Sequence, residues 1–150
     1  MVSIAPFLWF DGRAEEAYLF YSAVFAPADA PSPSLENFVG SVALPGLTLH
    51  LFNGGPYFTF NEAISLMVSV DTQEEVDRYW TALSDGGEPG RCGWLKDRFG
   101  VSWQIVPTAL GQLLGASDRE AAGRAPAALM EMGKIDVRRL EAAFHAADPS

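Results

Sequence analysis

The sequence has a single cysteine, Cys92, and two histidines, His50 and His145. One thiol allows neither an internal disulfide nor a Cys-based metal cluster, and it suits a reducing compartment. Basic residues are scarce too: ten Lys plus Arg stand against nineteen Asp plus Glu, a formal charge of −9. That is the wrong sign for neutralising phosphates or anionic lipid, so neither nucleic acid nor a membrane surface is an expected partner. No apolar run approaches the roughly 18 residues of a membrane span. The opening stretch MVSIAPFLWFD lacks a basic n-region and its apolar run ends at Asp11, so no secretory leader is expected and the cytoplasm is the expected compartment.

Apolar residues are abundant, by contrast. A chain of 150 residues that is 49% hydrophobic has the size of one globular domain able to bury a core, and the whole span 1–150 is read as one domain. Near the start, IAPFLWF reads as a strand, Asp11-Gly12 as a turn, and RAEEAYLFYSAVF as a helix. Ala14, Ala17, Tyr18, Tyr21 and Val24 recur at helical spacing opposite Arg13, Glu15 and Glu16, so one face should lie on a sheet. The proline-rich stretch Ala26 to Ser34 reads as a surface loop. ENFVGSVAL and LTLHLF then read as strands joined at Pro45-Gly46, with Asn53-Gly54-Gly55-Pro56 closing the second.

The segment EEAYLFYSAV, Glu15 to Val24, returns as EEVDRYWTAL, Glu74 to Leu83, in acid pair, aromatic pair, hydroxyl and alanine. The second copy follows the strand AISLMVSV; Thr72 with Glu75 has capping-box spacing, and Gly86-Gly87 stops the helix. CGWLK and VSWQIV flank Asp97-Arg98-Phe99-Gly100 as a hairpin, whose charges Lys96, Asp97 and Arg98 read as a solvated tip, with a ligand-contacting loop as the alternative. From Thr108 the pattern turns helical. Ser117 with Glu120 reads as a second capping box and Asp136 as an N-cap, with Val137, Leu140 and Phe144 on one face; Gly123 and Pro126 predict several short helices.

PFLWFDGRAEEAYLFYSAVF, LFNGGPYFTFNEAISL, CGWLKDRFGVSWQIVP and the tail GKIDVRRLEAAF together resemble the PhnB-like branch of the vicinal oxygen chelate superfamily, relatives of glyoxalase I and extradiol dioxygenases. The resemblance implies an α+β fold: two βαβββ modules forming a glyoxalase-like mixed sheet, with a helical C-terminal tail. Module 1 then spans about 1–61, module 2 about 62–107 and the tail 108–150. It also implies a small-molecule site in a sheet-lined cavity, and a homodimer, since members of this length complete their sheets across two chains.

Strand parity bears on that cavity. Ile64, Leu66, Val68 and Val70 form an apolar face that should lie under the helix, while Ala63, Ser65, Met67 and Ser69 face the other way. Leu47, Leu49 and Leu51 likewise oppose Thr48, His50 and Phe52, and Val101, Trp103 and Ile105 oppose Ser102, Gln104 and Val106. If the mixed face curves into the trough that the resemblance implies, His50, Ser65 and Gln104 converge on a ligand, with Phe7, Tyr57 and Met67 as its apolar wall. The competing reading is an ordinary solvent-facing sheet surface with an unremarkable histidine. Cys92 reads as a small buried hydrophobe, His145 as solvated, and Trp80, Trp94 and Trp103 as core.

Metal-dependent members of the superfamily hold a divalent ion with two histidines and a glutamate. The corresponding places here fall near Pro6 or Phe7, near Ser65, and at Gln104. Such residues bind hard ions poorly, and His50 would restore only one nitrogen, so no metal and no cofactor are expected. Enzymatic activity is left open by the residues: a lyase or dioxygenase, metal-dependent or metal-free, is the alternative to a binding protein. Some relatives carry a methyltransferase label linked to ubiquinone synthesis. The usual doubly wound methyltransferase needs a Gly-rich turn between its first strand and helix, where this chain has Asp11-Gly12-Arg13.

Overall fold

The computed structural model describes residues 1–25 and 39–146, so the proline-rich stretch read as a loop lies outside the described residues. The chain divides into two compact units, Met1–Phe60 and Asn61–Ser150. Each unit holds one hydrogen-bonded sheet.

The first unit runs β1 (Phe7–Phe10), α1 (Ala14–Phe25), β2 (Val39–Leu44) and β3 (Leu47–Asn53), in sheet order β1-β3-β2. β3 pairs parallel to β1 and antiparallel to β2. Pro45-Gly46 makes the β2–β3 turn, with Gly46 at φ +76°, the left-handed value that glycine takes at least cost. The buried residues of α1 are Ala14, Ala17, Tyr18, Tyr21 and Val24, the stripe legible in the sequence. Leu49 and Leu51 are fully buried, while Thr48 is exposed and His50 and Phe52 are half-buried, so the parity of β3 holds. The N-terminus of α1 takes its cap from a distant residue: Asn53 Oδ1 accepts the Ala14 backbone N–H at 2.8 Å.

The second unit runs β4 (Leu66–Val70), α2 (Gln73–Ser84), β5 (Glu88–Pro89), β6 (Trp94–Lys96) and β7 (Ser102–Pro107), followed by α3 (Thr108–Leu114), α4 (Arg119–Leu129) and α5 (Val137–Phe144). Its sheet order is β4-β7-β6-β5, with β4 parallel to β7 and the remaining pairs antiparallel. The βαβββ order is complete here. In the first unit the described residues give three strands, and the stretch between α1 and β2, where a counterpart of β5 would fall, lies outside them. Thr72 caps α2 as expected, Oγ1 accepting the Glu75 N–H at 3.2 Å and donating to the Glu75 carboxylate at 3.0 Å. Val70 is buried, but Ile64, expected under the helix, precedes β4 and is 69% exposed.

The tail departs from expectation in two places. Asp118, not Ser117, caps α4, accepting the Ala121 N–H at 3.0 Å. Gly123 and Pro126 do not break that helix, which runs through both; Pro126 removes one backbone bond, while buried Ala121, Ala122 and Ala125 hold the helix in place. Asp136 caps α5 as expected. Leu110, Met132, Ile135 and Leu140 form the tail's apolar cluster, with Val106 of β7 packed against it. Gln73 ties the tail to α2, its amide donating to the Ile135 carbonyl at 3.0 Å and accepting from the Val137 N–H at 2.8 Å. Among the described residues no helix is long and apolar enough to cross a membrane.

Candidate functional site

Two residues that face one another across paired strands share a face of the sheet, so register places the candidate side chains that lie on strands. In the first unit Phe7 pairs with His50, and His50 pairs with Ser41. The Phe7 and His50 rings stack with centroids 6.4 Å apart, and Phe52 adds a tilted contact to Phe7 at 5.6 Å. Phe7 is 56% exposed; Tyr57, in the loop after β3, is 77% exposed. Phe7 and His50 are thus neighbours, and Tyr57 stands further along the same unit.

The loop between β3 and residue 60 is shaped by an indole. Trp9 Nε1 donates to the Gly55 carbonyl at 2.9 Å, and a Cβ on Gly54 would lie 2.0 Å from the Trp9 ring. Only glycine fits under that ring. The motif Asn53-Gly54-Gly55 therefore serves helix capping and indole packing, and its backbone is covered where a Gly-rich cofactor turn would be open.

In the second unit one row of the mixed face runs Trp94–Gln104–Met67 across β6, β7 and β4, and the next runs Glu88–Lys96–Ser102 across β5, β6 and β7. Ser65 precedes β4 on the same face, and the Gln104 amide donates to its Oγ at 2.8 Å. That bond fixes the amide and leaves the Ser65 O–H to donate elsewhere. Met67, 62% exposed, lies beside the pair. Ser65, Met67 and Gln104 are thereby brought together; Trp94, expected in the core, is half-buried on this face instead.

A cleft of about 200 Å³ opens at the Lys96 end, lined by Glu62, Glu88, Pro89, Gly90, Trp94, Leu95, Lys96 and Ser102. Glu62 and Lys96 form an ion pair there. Hydrogen bonding to the Lys96 ammonium holds the Glu62 carboxyl below the usual carboxylate range, and the same bond raises Lys96, to which Glu88 adds a smaller electrostatic push. Sequence reasoning singled out neither Glu62 nor Ser102 as a site residue. The signal that finds Ser102 is the hairpin register, which sets it opposite Lys96.

The hairpin charges read as a solvated tip divide three ways. Lys96 faces the cleft and Arg98 pairs with Asp85 at 3.2 Å. Asp97, expected to be solvated, is 3% exposed. Its Oδ1 accepts the Phe99 N–H at 2.9 Å and the Val101 N–H at 3.0 Å, and its Oδ2 accepts Trp103 Nε1–H at 2.9 Å. Three donors explain the burial, because a carboxylate enters a core only when its lone pairs are used. Asp97 thus fixes the turn that sets Lys96 against Ser102. Cys92 is half-buried at φ +58°, its Sγ 3.8 Å from Met130 Sδ. His145 is exposed, as expected.

The donor set does not fit the superfamily's metal. Among the described residues no group of three or more His, Cys, Asp or Glu side chains is placed to hold an ion. Ser65 and Gln104, near two of the corresponding positions, are neutral groups hydrogen-bonded to one another.

A family model described as 3-demethylubiquinone-9 3-methyltransferase matches residues 2–106, so α3 to α5 lie beyond the match. Among solved structures, the chain is 31% identical to the PhnB protein of Bacillus cereus, with a TM-score of 0.59 over 71% of this chain and 99% of that one. It is 23% identical to protein PA1353 of Pseudomonas aeruginosa, with a TM-score of 0.59 over 71% of this chain and 98% of that one, a likeness of fold. No curated protein matches.

Proposed function

The chain belongs to the PhnB-like family of the vicinal oxygen chelate superfamily, and from that premise we propose that it binds a small organic molecule over the mixed face of its second sheet, against Ser65, Met67 and Gln104. The observation that carries this reading is the Gln104–Ser65 hydrogen bond at 2.8 Å on a face otherwise bordered by Met67 and Trp94. Orientation-fixed polar groups set among apolar and aromatic walls are the usual make-up of a small-molecule site.

The two units pair their strands alike, the first strand parallel to the last and the strand before the last antiparallel to it. This supports the reading of the two modules as repeats. On that correspondence His50, paired with Phe7, answers to Gln104, paired with Met67. We assign Phe7, His50 and Tyr57 the ligand-facing role on the first sheet. The indole over Gly54 favours binding over methyl transfer, since it covers the first glycine of the Gly54-Gly55 pair. Exposed Leu19, Phe58, Ile64 and Met130 favour a homodimer as the state that covers them.

Titrating a panel of single-ring aromatic compounds against isotope-labelled protein tests the site. Saturable shifts in the amide resonances of Ser65, Met67 and Gln104, weakened at least about tenfold by Gln104→Ala, are expected. Shifts confined to other residues, or an unchanged affinity in Gln104→Ala, refute the assignment.

A further inference from the structure

Ser102 is 1% exposed, and its enclosed hydroxyl oxygen has no hydrogen-bond partner. Enclosed hydroxyls are nearly always bonded, so this orphan, in a residue that lines the cleft, is a donor that a χ1 rotation can turn to an acceptor seated there. Directly opposite in register stands Lys96, whose ammonium carries three N–H donors and pairs with Glu62. Glu88 stands opposite Lys96 on its other side. The formal charge of Lys96, Glu62 and Glu88 together is −1. The cleft thus offers O–H and N–H donors with no net positive charge, and its remaining walls, Pro89, Leu95 and Trp94, are apolar.

A carboxylate or phosphate entering here would meet the Lys96 donors together with two carboxylates, and like charges at that range repel. A neutral carbonyl oxygen takes the same donors without that cost. We propose that the cleft is the polar end of the ligand site and selects a neutral carbonyl compound of ketone, lactone or quinone type. Its C=O oxygen accepts from Ser102 and Lys96, and its ring lies along Trp94 toward Gln104. The inference rests on the reading of the Gln104 face as the binding face and adds the chemical class of the ligand. A volume of about 200 Å³ is below the range of drug-sized pockets, as suits a single ring or the end of a larger molecule.

Three probes of one shape separate the possibilities: acetophenone, a neutral ketone; benzoate, a carboxylate; and ethylbenzene, which has no acceptor. Nitrogen-edited NMR titration of the full chain should show acetophenone shifting the Lys96 and Ser102 amides and the Trp94 indole, saturably and at least about tenfold more tightly than benzoate. Ser102→Ala should weaken acetophenone by roughly fivefold to tenfold, the loss of one hydrogen bond, and leave ethylbenzene unchanged. Because that substitution removes an unbonded enclosed hydroxyl, its melting temperature should equal or exceed that of the original chain. Lys96→Met provides a second variant at the surface end of the cleft, with the same expected selectivity for acetophenone. Benzoate binding as tightly as acetophenone, or acetophenone indifferent to both substitutions, overturns the proposal. Shifts at Ser65, Met67 and Gln104 that spare Lys96 and Ser102 overturn it while leaving the binding face intact; no saturable shift from any probe refutes both.

Discussion

Asp97→Ala should be the most damaging single change in the β6–β7 hairpin, although its sequence context is that of a surface turn. The substitution strands two enclosed donors, the Val101 N–H and the Trp103 indole N–H, and a third, the Phe99 N–H, that water can reach in part. An enclosed donor left unbonded costs about 1–3 kcal/mol, so the two together give roughly 4 kcal/mol. For a chain of this length that corresponds to a fall in melting temperature of about 10 °C. Asp97→Asn keeps one carbonyl oxygen for the backbone donors but turns an NH2 toward the indole, and should cost about half as much. Arg98→Ala is the control, because its ion pair with the largely exposed Asp85 is worth about 1 kcal/mol or less. Urea denaturation of the three variants measures all of these on one scale. If Asp97→Ala and Arg98→Ala shift the midpoint equally, Asp97 does not hold the hairpin and the account of how Lys96 meets Ser102 is wrong.

The tail clamp should respond to acid. Asp77 is held below its ordinary value of 3.8 chiefly by hydrogen bonding to Lys134, at 2.8 Å, and then to Gln73. Its contribution is therefore present above that value and lost as the pH falls through the lower folded one, and at this exposure it amounts to about 1 kcal/mol at most. The melting-temperature gap between the original chain and Asp77→Asn should be a few degrees at pH 6 and shrink as the pH falls below 3.8; a gap independent of pH refutes the clamp. Light scattering at micromolar concentration should return twice the mass of one chain, and a monomer there rejects the homodimer. Melting curves with nickel, zinc, manganese or EDTA should agree within about one degree, since a true metal site at 100-fold saturation would add about 2.7 kcal/mol. Stoichiometric metal that survives dialysis, with a melting point lowered by EDTA, would overturn the expectation of no metal.

Periodicity carried the sequence reading where burial alone decides a residue's place. The stripe Ala14, Ala17, Tyr18, Tyr21 and Val24 and the alternation along β3 follow from periods of 3.6 and 2, which a chain cannot keep unless one face is buried. Capping at Thr72 was equally legible, because its partner Glu75 lies within one turn. The misreadings share a different cause. Residue type alone sends Asp97 to water and Trp94 to the core, but each is placed by partners from another strand. Asp97 is buried because the next strand supplies a Trp103 donor; Trp94 is half open because register sets it beside Gln104 on the mixed face. Parity named Ser65 and Gln104 for the same face without revealing that they bond, and it grouped Ser102 with Gln104 without showing that its hydroxyl is enclosed and unbonded. A strand's alternation tells which face a residue shares, whereas chemistry depends on which residues share a row across strands. The turn at Asp97 to Gly100 is where that second kind of information enters the sequence, because its length sets which residue stands opposite Lys96.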